Sequence, residues 1–166
     1  MKLSVIVPTS GNVLRVKETI KSFLKQKLDN FDIDINIIEN CSKDKKSKEL
    51  QNYFLSLPKN FKYFLDERPG SSEARNRAVQ NTNADVVAFI DDDVQISDTW
   101  IDTVYKSFKE NKTLVFLGGT NLPNFTSDIP EWYHEFVDKK NDHWECHYLS
   151  LLEFKEDVNH INPKYI

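Results

Sequence analysis

Asp91-Asp92-Asp93 closes the apolar run Val86-Val87-Ala88-Phe89-Ile90. Adjacent carboxylates repel one another unless a cation or a hydrogen-bond donor intervenes. A hard divalent ion such as Mg²⁺ or Mn²⁺, shared with the phosphate oxygens of a substrate, supplies that compensation. An acidic triplet in isolation can equally be a solvated turn that caps the next helix. Here it ends a β-branched and aromatic run that reads as a buried strand, and that position favours a site. Side chains alternate along a strand, so Asp91 and Asp93 are expected on one side and Asp92 on the other.

Two further polar junctions have the same form, Pro8-Thr9-Ser10 and Glu39-Asn40-Cys41-Ser42, each closing an apolar run. A fourth segment, Gly70 to Arg75, opens a helical pattern with an arginine near its start. A helix N-terminus favours anions, and a guanidinium adds charge and bidentate donors. A carboxylate such as Glu39 can accept from a nucleobase N–H or a ribose hydroxyl. The set suits a nucleoside diphosphate: base at Glu39, ribose near Asp91 or Asp92, and diphosphate on a metal held by Asp93.

The elements that position these residues alternate. Strand patterns are expected near 3–8, 33–39, 61–65, 86–91 and 114–118. Between them, Val13, Val16, Ile20, Phe23, Leu24 and Leu28 fall at helical spacing, as do Leu50, Tyr53, Phe54 and Leu57. Pro69-Gly70-Ser71-Ser72 gives a turn and a serine N-cap for a helix through Gln80. Ser97 or Asp98 caps another helix, carrying Trp100, Ile101, Val104, Tyr105 and Phe108. Strand–helix repetition means an α/β fold with a mostly parallel central sheet and helices on both faces. Ligands of such sheets bind beyond the carboxyl ends of the strands, where the junctions sit. After Gly119 the pattern loses its period.

Composition sets outer limits. In 166 residues there is room for one domain with a real core, and 39% hydrophobic content with 11 Phe can fill it. The net charge of −4 argues against nucleic acid as a partner. The lysines at 43–48 are interleaved with Ser, Asp and Glu and read as a solvated helix start. Met1-Lys2-Leu3-Ser4 enters a strand pattern at once, without a signal-peptide core, which implies the cytoplasm. Cys41 and Cys146 are lone thiols without CxxC spacing. His143 and His147 are four apart, but Trp144-Glu145-Cys146 between them lacks a metalloprotease pattern, and His134 and His160 form no pair. Packing or surface roles suit all four.

Five motifs in order carry a resemblance. They are Leu3-Ser4-Val5-Ile6-Val7-Pro8-Thr9; Ile37-Ile38-Glu39-Asn40 with Ser42 and Asp44; Gly70 followed by Ala74-Arg75-Asn76; Phe89-Ile90-Asp91-Asp92-Asp93; and Trp100-Ile101. Gly118-Gly119, Pro123 and Pro130-Glu131-Trp132 extend them toward a polysaccharide-type branch. The chain resembles the N-terminal, donor-binding part of an inverting family-2 glycosyltransferase of the GT-A fold, a Rossmann-like three-layer sandwich. The resemblance implies a nucleotide-sugar donor, most often UDP-linked, and a glycan or lipid-linked acceptor, the latter placing the protein at the inner face of the membrane. It also implies a divalent cation, Mn²⁺ or Mg²⁺, at the DxD formed by Asp91 and Asp93, with Pro8, Thr9, Glu39, Arg75, Asp91 and Asp92 around the nucleotide. Glu39 stands where the family usually has Asp, and Ser10-Gly11 replaces the usual aromatic-Asn.

The family's general base lies in a Glu-Asp pair well downstream of the DxD, and no catalytic residue is assigned here. Asn162-Pro163-Lys164-Tyr165-Ile166 looks like the lead-in to that stretch. Glu156-Asp157 precedes it and reads as solvated surface. Residues 1–120 are therefore expected to be the nucleotide-sugar-binding core and 121–166 the start of an acceptor-side region, truncated. Leu149, Leu151, Leu152 and Phe154 form an apolar cluster that would need cover. Two alternatives stand beside a glycosyltransferase: a nucleotide-sugar-binding module without turnover, and a sugar nucleotidyltransferase. The latter usually opens with a Gly-rich loop containing Arg and Lys, which Thr9-Ser10-Gly11-Asn12 is not. A dehydrogenase would need G-x-G-x-x-G after the first strand, and none is present.

Overall fold

The computed structural model describes residues 1–40, 47–68, 70–122, 124–125, 128–129 and 131, and the strand backbone at 145–146 and 151–152. Two compact units divide the chain, Met1–Leu114 and Val115–Ile166.

In the first unit, β1 (Lys2–Thr9) is central. It pairs in parallel with β2 (Asp32–Asn40) on one side and β4 (Val86–Phe89) on the other, and β3 (Phe61–Asp66) lies outside β2, giving the order β3-β2-β1-β4. A central parallel strand is covered on both faces, and from Leu3 to Thr9 every residue of β1 is buried. One face packs Leu3, Val5 and Val7 with Ile33, Ile35 and Ile37 beneath α1 (Val13–Leu24), α2 (Lys48–Leu55) and α4 (Trp100–Glu110). Their apolar stripes supply Val16, Ile20, Phe23, Leu50, Phe54, Ile101 and Val104. On the other face Ile6 and Ile38 meet Ala74 of α3 (Ser71–Gln80), whose small side chains bring the helix close. Asp34 ties three strands there, accepting Lys2 Nζ at 3.1 Å and Lys62 Nζ at 2.8 Å. In the second unit the described pairing is antiparallel, β5 (Glu145–Cys146) with β6 (Leu151–Leu152).

Four of the five expected strands are present, and residues 114–118 form none. Val115 is 94% exposed and Phe116 71%. A short apolar run becomes a strand only when it pairs, and among the described residues this one is unpaired. The run before the aspartates is half-buried rather than buried, because β4 is at an edge of the described sheet, with Phe89 48% exposed. Helix caps differ too. Gly70, at φ +118°, holds the N-cap of α3, its carbonyl accepting from Ala74 N–H, so neither serine caps the helix. Thr99 precedes α4 without a side-chain cap; Gln26 Oε1 instead accepts from Ile101 N–H at 3.0 Å. Leu24 turns outward and Leu28 packs from a short 3-10 turn.

Candidate functional site

From β1 the chain crosses by α1 to β2, then by α2 to β3, and finally by α3 back to β4 on the far side of β1. The order reverses between β1 and β4, and ligands of open α/β sheets occupy the crevice outside such a reversal. Thr9 and the three aspartates stand at that point.

The aspartates diverge. Asp92 turns inward: Thr9 Oγ1 donates to its carboxylate at 2.5 Å, and Thr19 Oγ1 of α1 donates to its carbonyl at 2.8 Å. Asp91 accepts from Arg75 of α3, and Asp93 lies 3.6 Å from Arg15 Nη1 of α1. Asp91 and Asp93 thus engage helices on opposite faces of the sheet. The expected alternation does not reach them, because β4 ends at Phe89 and residues 92–93 are already in a turn. Both outer carboxylates remain more than half exposed.

Glu39, in register with Thr9, is fully buried at the end of β2. Its Oε1 accepts from Ser47 N–H at 2.8 Å and its Oε2 from Tyr63 O–H at 2.5 Å. These donors offset the cost of removing a carboxylate from water. Gly11 sits against it at φ +96°, where a Cβ would meet Glu39 Oε1 at 2.8 Å. The same loop is tied down by Gly11 N–H donating to Thr9 Oγ1 at 3.1 Å. Pro8, buried in β1 opposite Ile38, carries the chain into this loop.

Residues 4–162 match the family described as Glycosyl transferase family 2. The chain belongs to that family.

Its relatives include a glucosyl-dolichyl phosphate glucuronosyltransferase of Haloferax volcanii, 29% identical over 81% of this chain and 43% of that protein. A poly(ribitol-phosphate) β-N-acetylglucosaminyltransferase, TarP of Staphylococcus aureus, is 26% identical over 78% of this chain and 40% of its own length. Among solved structures, S. aureus TarS 1–349 in complex with UDP-GlcNAc superposes with a TM-score of 0.56 at 25% identity, over 75% of this chain and 37% of that one. The chain thus spans roughly two-fifths of the length of these relatives. The four-stranded parallel sheet, with helices on both faces, is that of the GT-A fold.

In this family-2 domain the structure brings Thr9, Arg75, Asp91, Asp92 and Asp93 together at the reversal, with Glu39 one strand away. Cys41, Ser42, Asp44, the lysines at 43–46, Pro69, Pro123, Pro130, Trp132, the four histidines, Leu149, Phe154, Glu156, Asp157 and 162–166 lie outside the described residues. The side chains of Cys146, Leu151 and Leu152 lie outside them as well.

Sequence reasoning missed Arg15, Tyr63, Thr19 and the reason for Gly11. Arg15 had a signal: it is basic in the first turn of a helix with no acid there, against the helix dipole. Tyr63 and Thr19 lie within apolar patterns and had none.

Proposed function

We propose that this domain binds a UDP-linked sugar in the crevice between β1 and β4 and serves its transfer, with inversion, to a glycan or lipid-linked acceptor. The convergence of three aspartates with arginines from both faces of the sheet carries this reading. Arg75 and Arg15 offer donors and charge to a diphosphate, and the N-terminus of α3 adds its dipole. Glu39, buried against Gly11 with both oxygens engaged, would shape the nucleobase end through that loop, Asp91 or Asp92 would serve the ribose, and the Thr9–Asp92 hydrogen bond holds the turn. The solved TarS complexes with UDP and UDP-GlcNAc support UDP as the nucleotide.

The donor set suits a divalent cation. Asp93 is half-exposed, and its Arg15 partner is an exposed side chain able to swing aside. No three His, Cys, Asp or Glu groups converge on one point among the described residues. Mg²⁺ or Mn²⁺ would be held by Asp93, and Asp91 would join it only by turning away from Arg75, the diphosphate supplying further oxygens. When bound, such an ion stabilises charge on the leaving diphosphate.

Transfer further needs a base for the acceptor hydroxyl. The crevice carboxylates already have partners: Arg75, Thr9, Arg15, and Ser47 with Tyr63. In this reading none of these described carboxylates serves as that base, and these 166 residues bind donor without turning it over. A lipid-linked acceptor would place the domain at the cytoplasmic face of a membrane; no helix among the described residues is long and apolar enough to cross one.

Calorimetry with UDP tests the reading. Binding should depend on Mn²⁺, Asp93→Ala should abolish that dependence, and Glu39→Ala should cost about 1–3 kcal/mol, as for hydrogen bonds to a charged group. Equal affinity with and without metal removes the metal role, and sugar transfer by these 166 residues alone removes the division of labour.

A further inference from the structure

Helix α1 buries an apolar stripe of Val16, Ile20 and Phe23, yet hydroxyls are set into the same buried surface. Thr19, Ser22 and Gln26 follow at i, i+3 and i+7, a spacing that lines one side of a helix and the turn beyond it. All three reach the backbone of one segment. Thr19 Oγ1 donates to the Asp92 carbonyl at 2.8 Å, Ser22 Oγ accepts from Ile96 N–H at 3.2 Å, and Gln26 Oε1 accepts from Ile101 N–H at 3.0 Å. Ser22 Oγ also donates to the Thr19 carbonyl at 2.6 Å, linking two of the three contacts.

A buried hydroxyl gains little over a well-packed methyl unless its hydrogen bond holds something in place. The segment held here runs from the aspartate turn to the start of α4. It has no regular structure of its own between residues 90 and 99. The Thr9 hydroxyl grips the Asp92 carboxylate from β1, while Thr19 grips the same residue's carbonyl from α1. Asp92 is therefore fixed at both ends, and its neighbours Asp91 and Asp93 are left pointing outward.

We infer that Thr19, Ser22 and Gln26 are positioning residues, a splint along α1 that holds the backbone of 92–101 so that the outer aspartates are in place before the donor and its cation arrive. None of the three touches ligand. Their contribution is pre-organisation, which improves binding by removing the cost of ordering the site. The inference rests on the reading of Asp93 as a cation ligand.

The test is calorimetry of UDP with and without Mn²⁺, paired with thermal unfolding, on the 166-residue chain. Thr19→Val removes the hydroxyl at nearly constant shape, Thr19→Ser keeps it, and Ser22→Ala strips the Ile96 contact with a smaller change. Ile33→Val, at the amino end of β2 and away from the crevice, serves as a destabilised control. The expected result is a metal-free UDP affinity that changes clearly less than the metal-bound affinity in Thr19→Val and Ser22→Ala. The affinity gained from Mn²⁺ should fall by about five- to tenfold in Thr19→Val, the size of one lost hydrogen bond, and also fall in Ser22→Ala. Thr19→Ser should restore it, and Ile33→Val should leave it intact at an equally lowered Tm. A full Mn²⁺ gain in both Thr19→Val and Ser22→Ala overturns the inference alone. So does a parallel loss of metal-free and metal-bound affinity. No Mn²⁺ gain in the wild type removes the cation reading, and the inference with it.

Discussion

Replacing Gly11 with alanine should cost far more than a methyl group on a surface loop would suggest. The new Cβ would lie 2.8 Å from Glu39 Oε1 and 3.3 Å from its Cδ. Glu39 is fully buried and cannot withdraw into water; moving Oε1 stretches the bond from Ser47 N–H, and moving Oε2 stretches the one from Tyr63. Hydrogen bonds to a charged group are worth about 1.5–3 kcal/mol, and weakening one of them is the smallest available response. The positive φ of +96° adds its own term, about 1–2 kcal/mol for a residue with a Cβ. The expected loss is about 2–4 kcal/mol, a large share of the ~5–15 kcal/mol that stabilises a typical domain. Urea unfolding of Gly11→Ala, Glu39→Ala and the double variant separates the two contributions. With Glu39 truncated the collision is gone, so Gly11→Ala should cost only the backbone term there, giving a coupling of about 1–2 kcal/mol. Additivity within ~0.5 kcal/mol would refute the contact.

Two other perturbations probe the charges. Burial pushes the Asp34 carboxyl up, but hydrogen bonds from Lys62 and Lys2 and their charges outweigh it and hold it below the usual carboxylate value. A depressed carboxyl stabilises the fold above its unfolded pKa, so the advantage of wild type over Asp34→Asn should be constant near neutrality and shrink below pH ~4. Urea midpoints at several pH values check this, and a difference unchanged on acidification would count against the three-strand tie. Arg15→Gln breaks an exposed ion pair and should cost under about 1 kcal/mol of stability. UDP affinity should nevertheless fall severalfold at low ionic strength and converge with wild type at high salt, where exposed charges are screened; unchanged affinity at low salt would exclude Arg15 from the site.

The sheet was legible because β1 is buried on both faces and β2 on the face carrying Ile33, Ile35 and Ile37, which leaves little choice of residue at those positions. Four strands and the helix stripes follow from that constraint. Residues 114–118 have the same apolar character, yet among the described residues they are unpaired, and sequence alone does not show which runs find a partner. Residue types and strand ends placed Thr9, Glu39, Arg75 and the aspartates at the carboxyl end of the sheet, where the structure has them. What pairs with what was not legible. Periodicity stops at Phe89, so it could not say that Asp91 faces α3 while Asp93 faces α1. Tyr63 and Thr19 act through hydroxyls on residues that an apolar stripe accepts equally well.

The reversal of strand order has a kinetic side. Parallel pairing of β1 with β2 brings together residues such as Ser4 and Asn36, 32 apart in the chain, whereas Thr9 and Asp92 are separated by 83. Longer loops cost more entropy to close, and distant pairings form late. The β1–β2–β3 layer can therefore assemble while the aspartate turn is still unstructured, with β4 docking afterwards. The crevice comes into existence in that last step. Nucleotide has nothing to grip before it, so ligand should slow unfolding while leaving the folding rate almost unchanged. Its protection should be greatest at the amides of β4 and the turn, which release first when the native state opens.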